Sequence, residues 1–371
     1  MLLRIILFIG AALVILGGSG WVIFRSFSQW FLLSPAGNVV LVLVIAGTLV
    51  GFFGTSVLAR FSEGVLAKYL YTAFAVLAGI YVFVFFAAIL GWIIVWLSHT
   101  AGVAVNGKML GAALVALAVA YSGYNIWNAS NIQIVNINVR IPNLPLAWKG
   151  KTILQLSDVH LGHILGPRFL EAVVQKANAQ HPDVVAITGD LFDGMDGDMS
   201  SFVQPLNDLQ AKQGIYFITG NHELYLGIDK ALRVLKQTKI QYLDNTIVHD
   251  NGLQIIGIAY GQDFEAQDIT KIITAQPNYD PHMPSVLLYH VPLPSQIAAA
   301  KALGIGLQLS GHTHAGQLLP FRPITSIVYG GYDYGLHRDG DFTEYASSGV
   351  GTWGPPMRSG AAPEIVVVHL E

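Results

Sequence analysis

Four apolar runs, almost free of charge, occupy the first third of this chain and leave it few ways to fold. They are Ile5 to Phe24, Gly37 to Leu58, Tyr69 to Leu97 and roughly Met109 to Trp127. A helix needs about 20 apolar residues to cross the hydrocarbon core of a bilayer, and in lipid each backbone N–H and C=O must be paired inside its own segment. The pattern therefore predicts a region of about four transmembrane helices over residues 1–128. Before residue 129 the charged residues are Arg4, Arg25, Arg60, Lys68, Lys108 and Glu63, and none lies well inside a run. Intramembrane ionisable groups would mark an ion or substrate path, so the spans read as an anchor. Gly47 and Gly51, four apart, allow close helix approach. Trp21, Trp30, Trp92, Trp96 and Trp127 fall towards run ends, where indole prefers the interface.

With four spans, the amino terminus, the middle loop and the carboxy-terminal part share one side of the membrane. That side carries Arg4, Arg60, Lys68 and Arg140, against Arg25 and Lys108 opposite. The positive-inside tendency then favours a multi-pass protein of the inner or plasma membrane with its second domain in the cytoplasm. There are no cysteines, which removes disulfides and thiol nucleophiles from consideration.

From residue 129 to 371 the pattern becomes that of an α/β domain. Short apolar strands recur at Thr152 to Leu156, Val184 to Thr188, Ile215 to Thr219, Leu253 to Ala259, Ser285 to Tyr289, Gly306 to Leu309 and Glu364 to His369. Helical patterns lie between several of them, as at Arg168 to Ala179, Ile228 to Thr238 and Pro294 to Leu303. In such sheets ligands gather beyond the carboxyl ends of strands. There the chain places Asp158-Val159-His160, Gly189-Asp190-Leu191-Phe192-Asp193, Gly220-Asn221-His222-Glu223, His290 and Gly311-His312-Thr313-His314. Singly, each has an ordinary reading as a helix cap, a turn or a solvated histidine. Together they place carboxylate, amide and imidazole groups at one mouth. In extended segments, residues at i and i+2 share a face, which would let Asp158 and His160, and His312 and His314, each aim at one point.

These motifs, in this order, resemble those of the calcineurin-like metallophosphoesterases, and the likeness runs from about Asn131 to Glu371. The resemblance implies a four-layer αββα fold, two mixed sheets flanked by helices, with a dinuclear metal centre. It implies that Asp158, His160, Asp190 and His314 hold one metal, and that Asp190, Asn221, His290 and His312 hold the other. Such a ligand set suits Mn²⁺, Fe or Zn²⁺. Two such cations about 4 Å apart activate a bridging hydroxide for in-line attack at phosphorus. His222 follows a ligand directly, so it is expected to diverge from the metals and act on the transition state or the leaving oxygen. A carboxylate, Asp193 by resemblance or else Glu223, would support it.

Arg358 and Arg168 are candidates for a substrate phosphate, since an arginine fork binds one bidentately. Surface ion pairs are the alternative. His163 and His337 read either as substrate contacts or as loop histidines. Leu318-Leu319-Pro320-Phe321, followed by Ile324, Ile327, Val328 and Tyr329, is unusually apolar for a loop. It reads as an acyl-chain groove, a bilayer contact or a hairpin over the core.

Two functions follow. One is a membrane-anchored phosphoesterase acting on a lipid-linked phosphate or diphosphate, similar in kind to UDP-diacylglucosamine hydrolases. Soluble phosphomonoesters and cyclic nucleotides are the rival substrates, and no nucleic-acid partner is expected. The other is a membrane scaffold or sensor that binds metal without turnover. An incomplete ligand set would favour the second, and none of the seven ligands is missing.

Overall fold

The computed structural model describes residues 2–62, 64–194, 199–261 and 267–371, with side chains from Gly10 onward. The charges of Arg4 and Glu63 lie outside the described side chains. The chain divides into two compact units, one of Met1–Leu58, Val65–Trp127 and Gly354–Pro356, the other of Ala59–Gly64, Asn128–Trp353 and Met357–Glu371.

The first unit is built on α1 (Leu2–Trp30), α2 (Pro35–Phe61), α3 (Val65–Thr100) and α4 (Gly107–Ala129). All four are long and apolar enough to cross a membrane. Each runs past its apolar run and takes in an exposed cation, Arg25, Arg60, Lys68 or Lys108 in turn, with Arg60 donating to the Tyr225 carbonyl at 3.0 Å. α3 has 36 residues, about 54 Å at 1.5 Å per residue, and is one uninterrupted helix. Close approach occurs at Gly51, where a Cβ would overlap the Phe74 ring, whereas Gly47 has open space. Trp30 packs with Ala88 of α3 and Leu114 of α4. It is buried, and its ring occupies the space above Gly91. Polar pairs join α1 to α3, with Trp92 Nε1 donating to Ser26 Oγ at 2.8 Å and Ser19 Oγ lying 2.7 Å from the Tyr81 hydroxyl.

The second unit begins with β1 (Gln133–Val139), β2 (Thr152–Leu156), α5 (Pro167–Asn178), β3 (Val184–Thr188), α6 (Val203–Asp208) and β4 (Gly214–Ile218). It continues through α7 (Asn221–Leu226), α8 (Ile228–Leu235), β5 (Gln241–Tyr242), β6 (Thr246–Asp250), β7 (Leu253–Ile258) and α9 (Ile269–Thr274). It ends with β8 (Ser285–Tyr289), α10 (Pro294–Ala302), β9 (Leu307–Ser310), α11 (Arg322–Val328), β10 (Gly335–Asp339), β11 (Phe342–Ala346) and β12 (Glu364–Leu370).

Among the described residues these strands form two six-stranded sheets, in the orders β1-β12-β2-β3-β4-β5 and β10-β11-β9-β8-β7-β6. The central strands β2, β3 and β4 run parallel, as do β7, β8 and β9. They are chiefly apolar because both faces are covered, with Gln155, Gln254 and Gln308 buried among them. Ile153, Ala186 and Ile218 of one sheet meet Ile255, Leu288 and Leu309 of the other in a shared core. Val173 of α5 and Val234 of α8 cover the outer face of the first sheet, and Ile273 of α9 and Ile297 of α10 cover that of the second. The result is the expected helix, sheet, sheet, helix layering.

Strand alternation at Ile132-Gln133-Ile134 and Ile137-Asn138-Val139 matches the edge strand β1, but the sequence pattern missed the other margins. β6 and β10 are short, polar edge strands, and β5 has two residues. β11 escaped notice because its middle residue is an acid. Glu344 is fully buried, facing Gln308 of β9 and His337 of β10 in register. The apolar stretch after His314 is not a hairpin. After the buried Leu318, Leu319–Phe321 form a 3₁₀ turn that leads into the helix α11, and no side chain from Leu319 to Val328 is buried.

Burial pushes the Glu344 carboxyl well above the usual range, with the Ser310 hydroxyl only partly offsetting it. A carboxyl whose folded pKa is raised loses stability as pH climbs above its unfolded value, because the unfolded chain then releases the proton the native state keeps. Glu344→Gln is therefore expected to raise the apparent melting temperature at pH 8.5 by a few degrees and to change it little at pH 5. Thermal scans at the two pH values measure this, and a larger gain at pH 5 would contradict it.

Candidate functional site

The parallel strands deliver their carboxyl ends to one edge, and the polar motifs begin there. β2 leads into Asp158 and His160, β3 into Gly189 and Asp190, β4 into Gly220 through Glu223, β8 into His290, and β9 into Gly311 through His314. All the expected ligands are buried except His312, which is half-buried.

The backbone at these ends is left-handed, with φ of 52° at Asp158, 53° at His160, 51° at Asp190, 70° at His312 and 52° at His314. Each such residue costs about 1–2 kcal/mol and persists only where its surroundings over-determine it. The extended geometry expected for the i, i+2 pairs is therefore absent. The chain turns at these residues, and His314 opens a 3₁₀ turn. As a consequence His312 and His314 part company.

His314 joins Asp158 and His160. Its Nε2 lies 2.9 Å from His160 Nε2 and 3.4 Å from Asp158 Oδ1. His312 joins Asp190 and His290, with His290 Nε2 3.2 Å from Asp190 Oδ2. That same Asp190 oxygen is 4.0 Å from His160 Nε2, so one carboxylate touches both groups. Asn221 Oδ1 is buried and has no hydrogen-bond partner among the described residues. Its neighbours abut Asp190, the His222 N–H donating to Asp190 Oδ1 at 2.8 Å.

Electrostatics favours cations here. Burial holds the His160 and His312 rings down at about 3, with neighbouring histidines adding to it, so both are neutral and offer lone pairs. Burial alone would raise Asp190, but His290 and His222 draw it well below the usual carboxylate range. Two ring nitrogens facing each other at 2.9 Å can share at most one proton, whereas a divalent cation takes both lone pairs. The unpartnered Asn221 oxygen points to the same conclusion. The residues present fit a centre for divalent metal.

His222 stands in the first turn of α7, buried, with its ring 4.5 Å from that of His160 and 6.0 Å from the exposed Trp353. Its Nδ1 lies 2.8 Å from the Asp193 backbone carbonyl. The Asp193 carboxylate is farther away, 4.0 Å from His222 Nδ1 and 3.5 Å from His160 Nδ1. Burial lifts that carboxyl to about 7 against the pull of His222. Glu223 does not face His222. Its Oε2 accepts from the N–H groups of Asp190 and Gly220 at 3.0 and 2.7 Å, and its Oε1 from that of Phe192 at 3.0 Å.

Arg358 is fully enclosed, so it is not an open fork for a substrate phosphate. One Nη lies 2.9 Å from His314 Nδ1 and Nε donates to the Gly351 carbonyl at 3.0 Å. His163 is buried with Nε2 3.0 Å from the Ala59 carbonyl, Arg168 is exposed on α5, and His337 Nε2 is 3.2 Å from the Tyr334 carbonyl.

Comparison with known proteins bears on this geometry. Residues 151–316 match the family model described as Calcineurin-like phosphoesterase. An uncharacterized metallophosphoesterase of Campylobacter jejuni is 34% identical over 64% of this chain and 63% of its own length. A transmembrane protein with metallophosphoesterase domain from Bos taurus is 32% identical over 64% of this chain and 57% of its own. An uncharacterized metallophosphoesterase of Bacillus subtilis is 30% identical over 65% of this chain and 86% of its own. This chain belongs to the calcineurin-like metallophosphoesterases. Its match spans less than two thirds of the length of the Campylobacter and Bos taurus relatives.

Two positions of the metallophosphoesterase site escaped the sequence reading. A Cβ at Gly220 would overlap Asp190 Oδ1 and also meet the Asp190 backbone nitrogen and His290 Nε2. Glu223 was noticed only as a possible partner of His222, because a carboxylate that binds backbone N–H groups leaves no signal in side-chain spacing. Gly220→Ala is expected to lower the divalent metal retained per chain severalfold, read by mass spectrometry, with the far-UV circular dichroism unchanged. Glu223→Gln turns an amide NH₂ towards buried donors. It is expected to cost roughly 1–3 kcal/mol, read as a melting temperature several degrees lower, and an unchanged value would show that the three bonds are dispensable.

Proposed function

We propose that this chain is a membrane-anchored, metal-dependent phosphoesterase that hydrolyses a phosphoester or diphosphate carried on a lipid. The observation that carries the reading is the single carboxylate of Asp190 placed between two buried carboxylate–imidazole groups. In this reading Asp158, His160, Asp190 and His314 hold one divalent ion, and Asp190, Asn221, His290 and His312 the other. Mn²⁺ fits the mixed oxygen and nitrogen set best, with Fe or Zn²⁺ as alternatives. When bound, such ions supply Lewis acidity, neutralise phosphate charge and lower the pKa of water.

The protein's own groups do the rest. His222 stands at the mouth and donates a hydrogen bond or proton to the departing oxygen. The Asp193 carbonyl orients its ring, and the Asp193 carboxylate steadies His160 behind it. Arg358 sets the His314 ring from the enclosed side. The four spans support a lipid-linked substrate, because anchoring raises the effective concentration of anything held in the same membrane. The charge asymmetry of the loops supports a cytoplasmic site at the inner or plasma membrane.

Protein stripped by chelator is expected to regain hydrolysis of an activated aryl phosphodiester on adding Mn²⁺. Silence with every divalent metal would sink the enzyme reading and leave a metal-binding scaffold. Asp190→Asn is expected to lose both turnover and metal. His222→Ala is expected to keep its metal while losing roughly 10²–10⁴-fold in rate, so loss of metal there would refute the assigned role. A lipid extract incubated with active protein, compared with the Asp190→Asn variant, should lose one phosphorylated lipid.

A further inference from the structure

We infer that the segment from Leu319 to Val328 is a second membrane-contact surface, which inserts into the headgroup and upper acyl region of the bilayer beside the metal site. Isolated exposed apolar residues are ordinary, but here they are concentrated. Leu319 is 49% exposed, Ile324 57%, Ile327 81% and Val328 61%, with Phe321 at 37%. α11 buries none of its side chains against the fold. Its polar Thr325 and Ser326 are half-buried, with the Thr325 hydroxyl 3.4 Å from Asp333 Oδ2, so the helix turns its polar side to the fold and its isoleucines and valine outward, an arrangement poorly suited to water.

The occupant is set by the rest of the chain. Four helices apolar enough to cross a membrane belong to this protein. Three residues separate the end of α4 from the start of β1, a tether of roughly 10 Å when fully extended. A bilayer is therefore within reach of the second unit at all times, whereas any other partner would have to be recruited. The charge pattern agrees. No acidic residue occurs from 281 to 332, and the charged residue within the segment is Arg322, a cation suited to lipid phosphate. The surface also adjoins the site, with the Tyr329 ring 6.0 Å from that of His312. An inserted α11 would bring the metal groups to the depth of a headgroup phosphate. For this purpose the inference rests on the lipid-phosphate reading above.

The absence of native cysteine makes the test direct. Full-length Ile327→Cys protein, and Ile324→Cys as a second position, would carry an environment-sensitive NBD label in vesicles of phosphatidylcholine and phosphatidylglycerol. Lys236→Cys on the exposed end of α8 provides the comparison. Blue-shifted emission at both isoleucine positions, quenched severalfold more than at Lys236 by lipids with a nitroxide near the glycerol backbone, is the expected result. Water-like emission at both would overturn the inference. So would blue-shifted emission that nitroxide lipids leave untouched, since another protein surface would then be the cover. The measurement needs no turnover. Insertion in a protein that consumes no lipid phosphate would refute the proposed substrate alone, and lipid hydrolysis with a water-exposed Ile327 would refute the inserted surface alone.

Discussion

Glu223 holds the junction on which the candidate site depends. Its carboxylate collects the backbone N–H groups of Asp190, Phe192 and Gly220, joining the ends of two neighbouring parallel strands. Asp190 is thereby kept in a left-handed conformation it would not choose alone. Its side chain then lies between two sets of imidazoles. A buried carboxylate with one donor missing would be costly, so the three bonds act together, and the position of Asp190 follows from backbone chemistry.

The same logic extends across the mouth. Left-handed turns at Asp158, His160, His312 and His314 bring side chains round to the interior where a straight strand would point them apart or outward. Small residues make this possible. At Gly311 a Cβ would overlap Ser157 Oγ and Asp158 Oδ2. Ala315, which follows the histidine pair, is left-handed as well, with φ 49° and ψ 37°. Strain of this kind is concentrated where divalent charge would repay it, since a metal gathers lone pairs that otherwise repel.

The two units solve different problems with the same backbone rule. In the spans the N–H groups beyond the first turn are paired within their own helix, which needs no partner and tolerates lipid on all sides. In the second unit the central strands are chiefly apolar on both faces because helices and a second sheet cover them. The candidate ligands gather at strand ends, where the chain leaves the sheet and its side chains can converge. α11 departs from both patterns, since it is part of the globular unit yet leaves Ile324, Ile327 and Val328 uncovered by the fold.

Much of this was legible beforehand. Long uncharged runs determined four membrane helices, because nothing else satisfies so apolar a backbone. Short apolar strands ending in Asp, Asn and His pointed to an α/β domain with those groups at one mouth, and the resemblance to the metallophosphoesterases implied the layered fold and the grouping of the ligands. What the sequence could not determine was how they meet. An i, i+2 spacing is compatible with one shared face or with a turn that divides the pair, and the choice at His312 and His314 depends on contacts from β2, β3 and β8, far away in the chain. Arg358 reads as a surface fork until Gly351 and His314 are seen to enclose it. Glu223 reads as a side-chain partner until its partners prove to be backbone. Local pattern specifies which groups the chain carries, and only long-range packing decides which way they face.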